Sequence, residues 1–540
     1  MPAPSSSIRR TILVAGVATL LTSGAIGAGI PAYAARVGPV PAPATPTGWQ
    51  ASSWAEQVGT TPLAPVIKAA GADKADKGDP DNDEVSTGAV LTGAGVGVAL
   101  IDSGVSPVPG LDGAGKVLNG PDLSFESQSS ALRYLDTYGH GTHMAGIIAG
   151  QDPATGPASA RFAGVAPGAH VVSVKVASAD GASDVSQIIA AIDWVVEHRN
   201  DTDMNIRVLN LSFGTRSTQP ESIDPLSFAV EQAWAKGIVV VVAAGNDGPS
   251  AASMTMPASN PDVIAVGAAD TRGTDNRADD TVAGFTNRGN PARHPDVLAT
   301  GSSVVSLRDP GSYIDRTYPE ARLSTIVDPA QRFFRGSGTS QAAAMVSGAV
   351  ALLLQQRPKL TPDQVKQLLM STADPIPGGG IASGSGQIDI AQAARTKTSK
   401  SYVQTNSPST GLGSLEASRG GAHVYDPTTG AMLTGEKDIF GKPWNAAAWA
   451  LASGNQMSWT NGTFNGTVWT GGALGAAQYG EQSWSPTVWT GRSWAGANWA
   501  GRSWANAVWS GRSWAGQTWA GAGWSGRIWA AAGWTGVPWQ

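Results

Sequence analysis

The sequence predicts an α/β domain with a mostly parallel central sheet, followed by a C-terminal β-rich region of tryptophan repeats. Two observations predict the domain: short apolar, β-branched runs, and the longer amphipathic stretches that alternate with them between residues 86 and 395. A third observation predicts the repeat region: tryptophan recurs at five-residue spacing towards the C-terminus.

The alternating segments can be assigned one by one. Five runs are apolar on both faces and therefore predict buried parallel strands: Val96–Ile101, Val171–Val176, Arg207–Leu211, Ile238–Ala243 and Val263–Val266. Four amphipathic stretches predict helices: His140–Gly150, Val185–Arg199, Leu226–Lys236 and Thr339–Gln356. A fifth helix is expected to begin at Thr361-Pro362-Asp363, with threonine as N-cap and proline at the first helical position.

Composition excludes several classes of function. The chain has 540 residues, of which 41% are hydrophobic, so more than one folded unit with a large core is expected. It has no cysteine, which excludes disulfides, thiolate catalysis and cysteine-ligated metal sites. A net charge of −5 does not favour a nucleic-acid partner, because such proteins usually present a basic face.

The N-terminal segment predicts export. Residues 1–34 have the pattern of a signal peptide: Arg9-Arg10, an apolar run from Ile12 to Ile30, and the cleavage site Ala32-Tyr33-Ala34. A membrane anchor is the alternative, and the arginine pair leaves a twin-arginine route open. Residues 35–85 are proline-rich and are interpreted as a leader or short propeptide. We therefore expect a secreted, extracellular protein, with attachment to the cell wall as a further option.

The C-terminal part of the chain divides into a predicted polar linker, residues 396–440, and a tryptophan repeat, residues 441–540. Five residues of α-helix turn through about 500°, which would scatter the rings around the helix, and in a straight strand positions i and i+5 face opposite sides. Short strands separated by glycine turns, stacked as a solenoid or meander, fit the spacing better. The rings would then form either the core of the repeat or a face that binds polysaccharide, cell wall or another polymer.

Three polar residues stand where chemistry is expected. Asp102 follows the first buried run, His140 begins a helix among glycines, and Ser340 lies at the start of another helix. Serine needs a base to take its proton, histidine is such a base, and a buried aspartate orients the histidine. A zinc site at His140 and His143 is disfavoured, because no third ligand is evident. Asn246, after a fourth buried run, is a candidate donor to a developing oxyanion.

These segments resemble the subtilisin-like (peptidase S8) family, which has the same chain order Asp, His, Ser. The matching motifs are Ile101-Asp102-Ser103-Gly104, His140-Gly141-Thr142-His143, Ala243-Ala244-Gly245-Asn246 and Gly338-Thr339-Ser340. The resemblance implies a three-layer domain at 86–395 and a secreted serine endopeptidase of bacterial type. It implies that Asp102 orients, His140 transfers protons, Ser340 attacks, and Asn246 contributes to the oxyanion hole.

The resemblance also implies how substrate would bind. Ser212, Phe213 and Gly214 would form an edge strand that pairs with the substrate backbone, and Ala243, Ala244 and Gly245 would form the other wall of the pocket for the residue before the scissile bond. The expected partners are protein or peptide substrates. A surface- or polymer-binding protein, in which the tryptophan repeat is the main functional element, is the alternative function.

The chemistry requires no cofactor or metal. Structural calcium is known in the family, but no calcium site can be assigned, since Glu84 stands where a loop at Asp79, Asp81 and Asp83 would need glycine. The run after the nucleophile departs from the common family pattern, because Gln341 stands where many members have methionine. We expect this replacement to make the site less sensitive to oxidation.

Overall fold

A computed structural model of the chain describes residues 91–128, 132–153, 162–272, 276–325, 328–398, 401–424 and 432–468. The predicted signal peptide, the proline-rich leader and the tryptophan repeat beyond residue 468 lie outside the described residues. The domain boundaries drawn from the sequence therefore stay a prediction.

The domain is built on one eight-stranded sheet with strand order β2-β3-β1-β4-β5-β6-β7, in which β8 also pairs with β6. Every pairing is parallel except β6 with β7. The strands are β1 Gly97–Asp102, β2 Val117–Asp122, β3 His170–Lys175, β4 Ile206–Leu211, β5 Val239–Ala243, β6 Ile264–Asp270, β7 Thr281–Val282 and β8 Val297–Thr300. All five predicted strands are present, within a few residues of their predicted ends.

Helices cover both faces of the sheet and bury its apolar strands. In chain order they are α1 His140–Ala149, α2 Val185–His198, α3 Pro225–Ala235, α4 Tyr313–Thr317, α5 Thr339–Gln356, α6 Pro362–Ser371 and α7 Ile390–Arg395. The five predicted helices are α1, α2, α3, α5 and α6. The helix α5 is the most deeply buried: almost all of its residues are inaccessible, because alanines and glycines let it pack against β4, β5, β6 and β8.

Local sequence fixes where these helices begin. Asp184 caps α2 by accepting a hydrogen bond from the backbone of Ser186, and the side chain of Gln187 completes a capping box. Asp224 caps α3 in the same way, ahead of a proline at the first position. Thr361 and Gln364 form the predicted cap of α6. Two of these caps, Asp184 and Asp224, also have partners much later in the chain.

A second, antiparallel sheet has strand order β10-β11-β9, formed by Val304–Leu307 (β9), Arg322–Thr325 (β10) and Asp328–Gly336 (β11). The last of these strands leads directly into α5. The sheet therefore delivers the chain to the N-terminus of that helix, where Ser340 lies.

The segment predicted as a linker differs from that expectation. Residues 409–424 and 432–440 pack along α2 and α3 and include a short helix, α8 Leu415–Arg419. Before them, Gln404 is hydrogen-bonded to Asp363 of α6. Inside α8, both Ser418 and Arg419 are completely buried. A polar composition indicated a free connector, but here the polar side chains are hydrogen-bonded to the domain.

The first tryptophan units form an aromatic cluster on the outside of α2 and α3. Trp444, Trp449, Trp459 and Phe464 are all buried, with ring centroids 5.1 Å apart for Trp444 and Trp449 and 5.3 Å apart for Trp459 and Phe464. Trp449 also packs edge-on against Phe228 of α3 at 5.4 Å. For the described part of the repeat, the rings therefore form core rather than an exposed binding face.

The backbone of these units is only partly as predicted. Residues Ala446–Gly454 form a helix, α9, where strands were expected, so that prediction is wrong there. The expected meander follows as a three-stranded antiparallel sheet of two-residue strands: β12 Trp459–Thr460, β13 Thr463–Phe464 and β14 Thr467–Val468. None of the helices in the described ranges is long and apolar enough to cross a membrane.

Candidate active site

Asp102 and His140 meet at the carboxyl edge of the sheet. Asp102 is the last residue of β1 and His140 the first of α1, and both are buried. The Nδ1 atom of His140 lies 2.7 Å and 2.8 Å from the two carboxylate oxygens of Asp102. Asp102 thus fixes the orientation of the imidazole ring through its Nδ1 atom.

A buried carboxylate, Asp136, holds the two segments together. The hydroxyl of Ser103 lies 2.7 Å from Asp136 and 3.1 Å from Asp102. Asp136 also accepts hydrogen bonds from the backbone of Gly139 and Thr142 on either side of His140, each at 2.7 Å. Burial raises the pKa of Asp136. The hydrogen bond from the backbone N–H of Thr142 is the largest of the contacts that act in the opposite direction and lower it.

The approach of α1 to β1 depends on the glycine after the histidine. A Cβ on Gly141 would overlap the carbonyl oxygen of Gly104 and lie 3.2 Å from Oδ1 of Asp102. A larger residue would therefore push His140 away from Asp102, which is the physical reason for glycine at this position.

A buried lysine lies behind this pair. The Nζ atom of Lys175, at the end of β3, donates to the carbonyl oxygens of Ser103 and Ala177 at 2.6 Å and 2.8 Å, and lies 2.9 Å from the carboxylate of Glu126. Burial alone would lower the pKa of Lys175, but Glu126 and Asp122 raise it, so the ammonium stays charged. All three ammonium protons thus find acceptors, and they fix the turn that follows Asp102.

Ser340 lies at the same edge of the sheet. It is the second residue of α5, which packs against α1, and its side chain is buried. The helix starts beside the turn after β5, where the backbone N–H of Gly245 donates to Oγ1 of Thr339 at 3.2 Å. The positive end of the helix dipole therefore points into the region where Asp102 and His140 lie.

Asn246 is oriented by the residue before Ser340. Its Oδ1 atom accepts hydrogen bonds from the backbone N–H and the hydroxyl of Thr339, at 2.8 Å and 2.9 Å. This leaves the Nδ2 donor facing the space beside Gly338. A Cβ atom added to Gly338 would lie 3.5 Å from Nδ2 of Asn246 and 3.7 Å from the amide nitrogen of Ser340. Both donors therefore border the same small region beside Gly338.

The expected substrate-binding residues lie on two neighbouring strands. Ser212, Phe213 and Gly214 follow β4; Ala243 ends β5, and Ala244 and Gly245 come directly after it. The Phe213 side chain is buried, so it does not offer an exposed ring at this position.

Thr255 closes the gap between these two segments. A Cβ on Gly214 would overlap Oγ1 of Thr255, and a Cβ on Gly245 would lie 3.4 Å from its Cγ2. Beyond Thr255 is a cavity of about 560 Å³, whose wall includes residues Thr215–Ser217, Gln219 and Glu221 of the loop after Gly214. An ion pair between Arg216 and Asp247, 2.6 Å apart, borders the same cavity. Thr255 therefore separates the gap between the strands from this larger space.

His143 lies one helical turn after His140. It is buried within α1, and burial, together with the nearby His140, lowers its pKa to about 3, so it is neutral at physiological pH. Across the described ranges, no group of three or more acidic, histidine or cysteine side chains is arranged to hold a metal ion.

The sequence predicts Asp102, His140, Asn246 and Ser340 as site residues, but not the side chains that hold them in the structure. Thr339, Ser103 and Asp136 orient Asn246 and His140, and Asn287 fixes the turn at Asp247 by accepting its backbone N–H at 2.6 Å. Asp136 stands four residues before His140 in a run of polar residues, and that position was the available signal.

Comparison with known proteins identifies the fold family. Residues 93–413 match the family model described as Peptidase_S8, subtilase family. The chain belongs to the subtilase family. Subtilases are serine-type endopeptidases, and the matched region contains Asp102, His140, Asn246 and Ser340.

Individual subtilases match this chain over differing shares of their length. It is 38% identical to "Serine protease AprX" of Bacillus subtilis over 296 residues, which are 54% of this chain and 64% of that protein. It is 34% identical to "Subtilisin DY" of Bacillus licheniformis over 306 residues, 56% of this chain and 92% of that protein. Among solved structures, fervidolysin from Fervidobacterium pennivorans matches at 26% identity and a TM-score of 0.43, covering 57% of this chain and 44% of that one.

Proposed function

We propose that the chain is a secreted serine endopeptidase that hydrolyses peptide bonds through an acyl-enzyme. The observation that carries the proposal is the contact of His140 Nδ1 with both oxygens of Asp102, at 2.7 Å and 2.8 Å, on the sheet edge where α5 presents Ser340. Family membership supports the reaction class. Export is proposed from the N-terminal pattern of residues 1–34 alone.

In the proposed first step, Oγ of Ser340 attacks the carbonyl carbon of the scissile peptide while Nε2 of His140 takes the hydroxyl proton. The carbonyl oxygen becomes an oxyanion, and the donors at Asn246 Nδ2 and the backbone N–H of Ser340 stabilise it. Collapse of the tetrahedral species breaks the C–N bond, and the amine leaves with the proton from His140. Water then attacks the acyl-enzyme by the same route and releases the acid.

Asp102 contributes by orientation and charge. Because its carboxylate is fixed against Nδ1, it holds His140 in the tautomer that can accept a proton at Nε2 and stabilises the imidazolium that forms. Burial of both side chains keeps water out of this contact, which strengthens it. The buried Lys175 behind Ser103 maintains the backbone turn on which Asp102 depends.

The test is active-site labelling of the secreted full-length protein with a fluorophosphonate, followed by peptide mapping and a casein digestion. We expect the label on Ser340, and loss of both labelling and cleavage in Ser340→Ala, by about 10⁶-fold in kcat, the loss that removal of the nucleophile causes in a subtilisin. Ser371→Ala, an exposed serine at the end of α6, is the matched control and should behave as wild type.

Label on another residue, or cleavage that survives in Ser340→Ala, would overturn the proposal. A wild-type protein that is folded by circular dichroism yet neither labelled nor proteolytic would overturn it too. In that case the alternative, a polymer-binding protein based on the tryptophan repeat, would become the leading function.

A further inference from the structure

Two loops flank the proposed active site. In the sheet, β1 lies between β3 and β4, and all three strands run parallel, so the chain leaves β3 and β4 at the edge where Asp102 lies. The loop after β3 covers residues 176–184 on one side, and the loop after β4 covers residues 212–224 on the other. Ligands of parallel sheets bind at this edge, between such loops.

Each loop ends on an aspartate that caps the following helix. Asp184 ends the first loop and caps α2, and Asp224 ends the second and caps α3. Both carboxylates are completely buried. The position of each cap therefore sets where its loop is anchored.

Two successive residues of α8 bind these two caps. The hydroxyl of Ser418 donates to Oδ1 of Asp224 at 3.0 Å. The Nε atom of Arg419 donates to Oδ2 of Asp184 at 2.7 Å, and a second guanidinium nitrogen lies 3.3 Å from Oδ1. Burial alone would lower the pKa of Arg419, but Asp184 raises it, so the guanidinium is charged where the two helices begin.

Further contacts join α8 to the second loop. The backbone N–H of Thr218 donates to the carbonyl of Ala417 at 3.0 Å. The side-chain amide of Gln219 pairs with both backbone groups of Ser414, at 2.8 Å and 2.9 Å. Gln219 also lines the cavity beyond Thr255, so this loop contacts α8 with one side and borders the cavity with the other.

The helix α8 is itself held from outside. Arg419 donates to the carbonyls of Gly435 and Lys437, the former at 2.8 Å, and Glu436 accepts the backbone N–H of Leu415 at 2.9 Å. Ile439 then donates its N–H to the hydroxyl of Ser186 in α2 at 2.9 Å. Apart from Ser186 of α2, all these residues follow position 413, where the match to the family model ends.

We propose that α8 is a positioning element for substrate binding: by joining Asp184 and Asp224, it fixes the distance between the two loops that flank the substrate. The proposal rests on the proposed endopeptidase activity and adds a part of the chain that the family match does not include. Asp102, His140 and Ser340 are held by contacts that do not involve α8. Loss of α8 contacts should therefore weaken the binding of extended substrates and leave the reaction at Ser340 in place.

The decisive variant is Arg419→Met combined with Asp184→Asn, which breaks the link without leaving an unpaired buried charge. Asparagine also retains a helix-capping oxygen. Ser418→Ala, which removes only one hydroxyl, is a milder second variant. The control is Arg395→Met, the same change at an exposed arginine at the end of α7.

Two substrates are compared: a tetrapeptide p-nitroanilide that extends between the loops, and a single-residue ester that does not. For the double variant we expect KM of the tetrapeptide to rise about 10-fold, equivalent to about 1.4 kcal/mol, with kcat nearly unchanged. The ester kinetics and the rate of fluorophosphonate labelling should stay within about 2-fold of wild type. Ser418→Ala should shift the tetrapeptide KM in the same direction by a smaller factor, and Arg395→Met should not shift it.

Wild-type kinetics on both substrates in the folded double variant would overturn the proposal. An equal loss on tetrapeptide, ester and labelling would overturn it as well, because α8 would then act on the catalytic centre or on overall folding. If wild type itself were neither labelled nor active, the proposed function would fail first, and this inference with it.

Discussion

The family-matched region, residues 93–413, and the segment that follows it, residues 414–468, use buried polar groups in opposite ways. In the first, they converge on one edge of the sheet, where Asp102, His140 and Asp136 contact one another. In residues 414–468, the buried polar groups bind residues of the family-matched region: Arg419 binds Asp184, and the indole of Trp449 donates to Asp193 of α2 at 2.8 Å.

Because of this difference, removal of a buried polar group should have different effects in the two regions. At the sheet edge, buried polarity accompanies a proposed reaction and should affect rates when it is removed. In the C-terminal segment, the same kind of group serves attachment, and its removal should affect stability or the position of a loop. The polar attachment also explains why a composition typical of a linker belongs to a packed segment.

The largest effect expected within this comparison is on catalysis. Asn246→Ala should lower kcat about 10²–10³-fold with little change in KM, because the lost Nδ2 donor acts on the oxyanion and not on bound substrate. That range was established for this donor in a subtilisin. Steady-state kinetics on a peptide anilide measures it. Asn455→Ala, at an exposed asparagine after α9, is the matched control from the other region and should leave kcat unchanged. A loss below about 5-fold for Asn246→Ala would contradict the role of this donor.

The next largest effect expected is a pH dependence in the stability of the contact between α9 and α2. Asp193 accepts hydrogen bonds from Trp449 and Ser453, and burial raises its pKa from 3.8 to about 6. A raised pKa favours the protonated form in the folded state, so its stabilisation is complete below pH 3.8 and is lost as pH rises through 6. We expect the attachment of α9 to weaken by about 2–3 kcal/mol across this window.

Hydrogen exchange of residues 446–460 in the inactive Ser340→Ala background measures this change. Amides of β4 in the same sample are the internal control and should not follow this profile. Asp193→Asn should flatten the pH dependence of the α9 amides. A profile unaffected by Asp193→Asn would show that Asp193 does not govern the attachment.

A smaller effect is expected on specificity. Thr255 fills the gap between Gly214 and Gly245, so Thr255→Gly should open it towards the cavity behind. We compare two substrates that carry phenylalanine or alanine before the scissile bond. The ratio of their kcat/KM values, phenylalanine over alanine, should rise about 10-fold, because the opened gap would bury additional carbon atoms of the phenylalanine side chain. Thr460→Gly, at an exposed threonine of β12, should leave the ratio as in wild type. An unchanged ratio for Thr255→Gly would mean that substrate does not enter this gap.

The smallest effect concerns Gln341. Its amide is completely buried, and neither amide atom meets a hydrogen-bond partner among the described residues. Gln341→Met should therefore stabilise the protein by about 1 kcal/mol, while making it more sensitive to peroxide, because a thioether replaces the amide beside Ser340. Thermal unfolding and residual activity after peroxide treatment measure the two changes. Destabilisation, or equal peroxide sensitivity, would contradict this reading of the site.

The sheet and its helices could be predicted from the sequence because each element has its own signal. Val239–Ala243 is apolar at every position, and Thr361 followed by Pro362 marks a helix start without reference to the rest of the chain. The polar residues of the site were also predictable, since each stands at the end of such an element. Their supporting contacts were not, because Ser103 and Asp136 lie 33 residues apart and meet only in the fold.

The C-terminal segment was less predictable for a physical reason. Its five-residue spacing matches neither helix nor strand, and the structure uses both: α9, and then a meander of two-residue strands. The turns at Asn461-Gly462 and Asn465-Gly466 all have positive φ, from 47° to 75°, as tight type I′ turns require. These Asn-Gly pairs are the sequence signal for hairpins in this segment.

The anchoring of α8 has a practical consequence for anyone preparing a minimal version of this protein. A recombinant fragment that ends where the family match ends, at residue 413, would lose Ser418, Arg419 and Trp449. The carboxylates of Asp224, Asp184 and Asp193 would then be left without those respective partners. Gene synthesis guided by the family model alone would therefore remove a structural part of the enzyme. A fragment that extends to Val468 retains every one of these contacts.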